Sequence, residues 1–124
     1  MKYRGMSPEA QALFERHDMI HVLFGLSTDV RDEAKADGWT LLGSDISFAE
    51  IRRFAALPEE KELVQELGWA HIAKAFLRAI PDYAVMAWRS RRLTKRWRWA
   101  DNAQYRDRTV AAIRREFGID AALA

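Results

Sequence analysis

Apolar residues recur along this chain at three- and four-residue spacing, and no stretch alternates strictly as a half-buried strand would. Ser7-Pro8-Glu9 reads as a helix start, with a Ser cap, Pro at the first helical position and an acid near the positive end of the dipole. That helix is predicted to run to Phe24 and stop at Gly25. Thr28-Asp29 begins a second, reaching at least Asp37 before Gly38, followed by a Gly-, Ser- and Asp-rich loop to Asp45 with further helix around Trp39–Leu42. A third spans Phe48 to Leu57 on Ile51, Phe54 and Ala55. A fourth starts at Pro58-Glu59-Glu60, is carried by Leu63, Leu67, Ala70 and Leu77, and breaks or kinks at Pro81-Asp82. A basic, aromatic fifth segment follows from Tyr83 to Trp99, and a last helix from about Ala103 to Phe117 before Gly118. The expected fold is therefore all-α, a compact bundle of five or six helices forming a single domain, 1–124.

The first helix concentrates the chemistry. At 100° per residue Leu13, His17, His21 and Phe24 share one apolar face, flanked by Phe14 and Ile20, with Asp18 at its edge. Met19, Val22 and Leu23 make its second half read as buried nearly all round. An unpaired buried carboxylate costs several kcal/mol, so Asp18 calls for compensation. Two imidazoles one turn apart suit a divalent metal, the geometry that H-E-x-x-H motifs use, with Asp18 in the Glu slot. On the second helix Asp29, Glu33 and Asp37 form a row of like charges at four-residue spacing, which a cation near one of them would relieve. The short Gly25-Leu26-Ser27 connection makes the two helices neighbours, so Glu33 can face the histidines. The duller alternative weighs about equally on spacing alone: core histidines paired with an acid, and a solvated acidic row.

Composition narrows the ligand set. The 124 residues include no cysteine, which leaves nitrogen and oxygen donors only. Net charge is +2 and the sequence pI near 9.1, which argues against a dedicated nucleic-acid binder but not against a local basic patch. No apolar run approaches the roughly 18 residues of a membrane span, and Met1 to Gly5 has neither signal nor transit character. These features predict a cytoplasmic protein.

The string His17-Asp18-Met19-Ile20-His21-Val22-Leu23-Phe24-Gly25-Leu26-Ser27-Thr28-Asp29-Val30, with eleven residues between His21 and Glu33, resembles the signature of the ubiquinone (coenzyme Q) biosynthesis protein 4 family. Val110-x-x-Ile113-Arg114-x-Glu116-Phe117-Gly118-Ile119 is similar to how those proteins end, while the likeness is weak between about Trp39 and Arg78. The resemblance implies an all-helical protein peripheral to a bacterial membrane, with His17, Asp18, His21 and Glu33 holding zinc, or else iron or manganese. It implies work on polyprenylated benzoquinone precursors, as oxidative decarboxylation and hydroxylation at ring carbon 1, as scaffolding of other ubiquinone-biosynthesis proteins, or both. Asp18 would then be a ligand, a partner to one, or a catalytic proton acceptor. This chain is shorter than typical members, which leaves their lipid pocket unaccounted for. A metal-dependent hydrolase, or a non-enzymatic lipid-surface module with a structural metal, are the alternatives.

Trp88 to Trp99 holds six cations and three tryptophans. Trp88, Arg89, Arg92, Lys95, Arg96 and Trp97 are candidates for contact with an anionic membrane surface or prenyl lipid, in preference to nucleic acid. The competing reading is a solvated face with its Trp residues inward and its arginines paired to acids such as Glu59, Glu60 and Glu62. His71, four after Leu67, reads as structural, and Asp82 and Asp101 as caps. A homo-oligomer is compatible with all of this.

Overall fold

A computed structural model describes residues 7–124 and contains helices and no strand among them. Met1 to Gly5, and the side chains of Phe54, Glu59, Glu60 and Leu63, lie outside what is described. The helices are α1 (Pro8–Phe24), α2 (Val30–Gly43), α3 (Phe48–Ala55), α4 (Pro58–Leu67), α5 (Trp69–Arg89), α6 (Val110–Phe117) and α7 (Ile119–Leu123). Single 3-10 turns occupy Ser90–Arg92 and Ala103–Tyr105.

Both ends of α1 follow from local chemistry. The Ser7 hydroxyl accepts from the Ala10 N–H at 3.2 Å, and Gly25 closes the helix in the left-handed region at φ 65°. The Arg114 guanidinium then donates to the Leu23 and Val22 carbonyls at 2.8 and 2.7 Å, satisfying the last turn and countering its negative dipole end. Val22 is 48% exposed, so the second half of α1 is not buried all round. α2 opens on the Asp29 carboxylate, which accepts from the Asp32 N–H, while the Asp32 side chain reaches back to the Ser27 N–H.

α2 lies between α1 and α5. Phe24 stacks on Trp39 with ring centroids 4.6 Å apart, joining α1 to α2. On its other side, Tyr83 of α5 donates its hydroxyl to the Ala34 carbonyl at 2.9 Å. Gly38 is inside α2 rather than at its end. A Cβ there would come within 2.6 Å of Met86 Cε and 2.8 Å of Tyr83 Cε1, so the glycine permits close approach of α5.

The predicted break at Pro81 is likewise displaced. α5 runs through Pro81, and the chain divides instead at Gly68, whose φ of 83° suits glycine alone. Asp82 therefore sits within a helix and forms a two-point ion pair with Arg31, both contacts 3.0 Å, while Asp101 pairs with Arg98 at 2.7 Å. His71 is exposed on α5 and does not sit in the core.

From Leu93 to Trp99 the chain leaves the helical conformation. Trp97 forms an isolated parallel bridge with Ser44: its N–H donates to the Gly43 carbonyl at 2.7 Å and its carbonyl accepts from the Asp45 N–H at 2.9 Å. Trp97 and Trp99 are buried, and Trp97, Tyr105 and Phe117 form a cluster with centroids 5.2 to 5.4 Å apart. Burying roughly 200 Å² of such a side chain is worth on the order of 5 kcal/mol, which decides the segment's conformation over its helical propensity.

Glu116 ties this extended segment to α6. Lys95, at 2.8 Å, and Arg108 hold its carboxyl down to about 2 from the usual 4.5. A depressed carboxylate stabilises the fold above its unfolded value and loses that contribution as pH falls through the folded one. Glu116→Gln is therefore expected to be less stable than wild type at pH 7. In urea titrations the gap should stay constant down to about pH 5 and close between pH 4.5 and about 2. A gap independent of pH across that range would contradict this assignment.

Candidate metal centre

α1 presents His17 and His21 one turn apart, and the capped start of α2 brings Glu33 across to both. His17 Nε2 lies 3.0 Å from Glu33 Oε2, His21 Nε2 3.3 Å from Glu33 Oε1, and the two Nε2 atoms are 3.2 Å apart. Donors bonded at about 2.0–2.1 Å to one tetrahedral ion stand about 3.3 Å from each other. The three separations are close to that edge length, so His17, His21 and Glu33 form a group that could hold a metal ion. The imidazole side chains are 13% and 9% exposed against 44% for Glu33, so the group is walled by protein on the α1 side and open beside the carboxylate.

The electrostatics fit a cation-seeking group. Burial alone would lower the His17 pKa, but the Glu33 hydrogen bond and the carboxylates of Asp37, Glu33 and Asp18 outweigh it, and the net shift is upward. Glu33 moves the opposite way: burial opposes, yet the two imidazoles hold its carboxyl below its usual value. Asp37 is the residue that sequence reasoning left out of the site. It keeps open surface, but its carboxyl is crowded by surrounding protein, and this crowding, aided by Glu33 and tempered by His17 and His21, raises it to about 6. Its signal was the four-residue acidic row. That row divides into three roles, with Asp29 capping α2, Glu33 among the donors and Asp37 beside them.

Asp18 does not join the group of mutually close donors. Its charge is felt at His17 from one side of α1, because adjacent helical residues are about 100° apart and cannot both aim at one point. His21 Nδ1 is buried without a hydrogen-bond partner. The ring therefore lacks the outer hydrogen bond that orients most ligating imidazoles, and its polar contacts are all on the Nε2 side, to Glu33 and His17.

The predicted basic contact surface is not one face. Trp97 is 1% exposed, so it belongs to the core and touches no membrane. Lys95 is held by Glu116 and lies 4.8 Å from the Phe117 centroid, and Arg92 donates to the Ala121 carbonyl at 3.3 Å. Arg89 is half-buried and Arg96 exposed. Trp88 remains outward, with the Arg91 guanidinium 4.6 Å above its ring. No described helix is long and apolar enough to cross a membrane.

No protein-family model, characterised protein or solved structure matches this chain. The observations define an all-helical protein with a two-histidine, one-carboxylate group between its first two helices.

Proposed function

We propose that this protein binds a divalent metal through His17, His21 and Glu33 and serves ubiquinone biosynthesis, acting on or holding polyprenylated benzoquinone precursors. The observation that carries the metal is the convergence of three donor atoms within 3.0 to 3.3 Å of one another. Two imidazoles and a carboxylate suit zinc first, and also iron(II) or manganese(II). The pathway rests on the His17-Asp18-x-x-His21 and Glu33 resemblance. When bound, the ion would supply Lewis-acid polarisation of a substrate oxygen. The chain would supply the rest: the imidazoles fix position, the open Glu33 side admits ligand, and Asp18 or Asp37 accepts a proton beside the site.

A scaffolding role with a structural metal is the second reading. Elemental analysis of protein purified without chelators tests the binding step. About one ion per chain is expected, and a His17→Ala/His21→Ala variant should carry none. Equal loading of both proteins would sink the proposal. Supplying a prenylated 4-hydroxybenzoate-type acid under oxygen then separates the roles, since carbon dioxide release marks catalysis and its absence in loaded protein favours the scaffold.

A further inference from the structure

We propose that the cavity between the start of α2 and the first half of α5 binds the phosphate group of a small, water-soluble phosphate monoester. None of its lining residues belongs to the metal centre, so the proposal stands apart from that reading. The cavity holds about 360 Å³, within the range of small-molecule sites, and is lined by Val30, Arg31, His71, Lys74, Ala75 and Arg78. Its charge is one-sided. The whole chain carries 20 Lys and Arg against 18 Asp and Glu, yet no acid is among these six residues. His71, Lys74 and Arg78 follow one another at three- and four-residue spacing, which stacks three basic side chains on one face of α5. Arg31 enters from α2.

The acids closest along the two helices are already engaged. Asp29 caps α2, and Asp32 accepts from the Ser27 N–H and lies 3.9 Å from Lys35. Asp82, the sole acid on α5, accepts from Nε and Nη2 of Arg31 at 3.0 Å each. That pair fixes the guanidinium and leaves its Nη1 group for a ligand. Lys74 and Arg78 make no ion pair among the described residues. Two unpaired cations match the charge of a phosphate monoester, which approaches −2 near neutral pH. The donors also come from two helices and so from different directions. A carboxylate offers two oxygens in one plane, whereas a phosphate offers three around a tetrahedral centre, which suits such a set better. Val30 and Ala75 supply an apolar wall beside the cations for the organic group of the ester. A lipid headgroup shares the phosphate chemistry, but the enclosed volume and apolar wall fit a small ester taken in whole.

Titration of the full chain with phenyl phosphate at constant pH, followed by the ring NMR signals of its three histidines, tests this. The His71 signal, identified by its loss in His71→Gln, is expected to shift saturably while those of His17 and His21 stay in place. Inorganic phosphate should move the same signal with about tenfold weaker affinity, because it leaves roughly 50 Å² of apolar wall uncovered. Lys74→Ala and Arg78→Ala should each weaken phenyl phosphate binding about 10–100-fold, the cost of a lost charge-assisted hydrogen bond. Arg78→Lys should fall between Arg78→Ala and wild type, since it keeps the charge and loses the fork. All three side chains are exposed, so wild-type circular dichroism is expected of each variant. Shifts confined to His17 and His21 would place the anion at the metal centre and overturn the proposal. So would the absence of a saturable His71 shift, or undiminished affinity in a folded Lys74→Ala/Arg78→Ala chain. A His71 signal that responds to phosphatidylglycerol vesicles but to neither soluble phosphate would overturn it in favour of a lipid headgroup.

Discussion

His21→Ala should lose more than about 100-fold in zinc affinity, because removing a hydrogen-bond partner of a ligand already costs about 10–100-fold and removing the ligand costs more. Only His17 and Glu33 would remain, and both would have to recruit solvent. The same variant separates binding from folding. Saturating zinc at about 100 times the dissociation constant stabilises a native site by about 2.7 kcal/mol, roughly a 10 °C rise in Tm for a domain of this size. Wild-type protein stripped with chelator should show that rise when zinc is added, and His21→Ala should not. Glu33→Gln is the sharper probe, since it keeps shape and removes charge; its loss should be smaller but clear, about 10–100-fold. Affinity should also weaken as pH falls from 8 to 5. His17 binds its proton more tightly than usual, held by Glu33 and the neighbouring carboxylates, and that proton competes with the metal. Equal zinc-dependent rises in wild type and His21→Ala would remove the three donors from any metal role.

Where the sequence was legible, its signals were local. Ser7, Pro8 and Gly25 mark α1 because a hydroxyl cap, a preset φ and a left-handed stop act within a few residues. The same holds for Asp29 at α2 and Gly118 after α6. Asp18 was misplaced by helix rotation alone, and the other misreadings came from tertiary contacts. Gly38 reads as a stop only until α5 is known to press on it, and Pro81 is tolerated because α5 continues on either side of its exposed ring. The 93–99 stretch carried a usable signal in Trp97-Arg98-Trp99, which alternates in and out at period two, but its charge density suggested an exposed helix. At the site, His17 and His21 were legible from one-turn spacing, and Glu33 from the short turn between the helices and the resemblance, whereas the separate parts of Asp29 and Asp37 needed the rotation of α2. Asp29 is drawn away by capping, which sets that rotation and leaves Glu33 facing both rings.

Gly118→Ala is the substitution expected to damage the fold most. Gly118 joins α6 to α7 at φ 75°, a region where an L-residue is strained by about 1–2 kcal/mol. The added Cβ would also stand 2.7 Å from the Thr94 nitrogen, 2.9 Å from the Arg92 oxygen and 3.2 Å from the Leu93 Cα. All three are backbone atoms, so no side chain can rotate away. Relief requires moving the 92–97 segment off α6, yet Thr94 is bound there twice, by its N–H to the Phe117 carbonyl at 2.9 Å and its hydroxyl to the Glu116 carbonyl at 2.7 Å. Overpacking of this kind costs about 1–3 kcal/mol beyond the φ strain, for a total of roughly 2–5 kcal/mol. That is a large share of the 5–15 kcal/mol typical of a domain, so the Tm should fall by more than about 10 °C. Arg114 lies in the same helix and clamps the end of α1, so a shifted α6 would also loosen the turn that carries His21. Gly118→Ala should therefore weaken zinc binding without touching a donor, whereas Gly68→Ala, with φ 83° but no atom within 4 Å, should pay only the strain. Equal melting temperatures for the two alanine variants would show that the Thr94 contact does not constrain the fold.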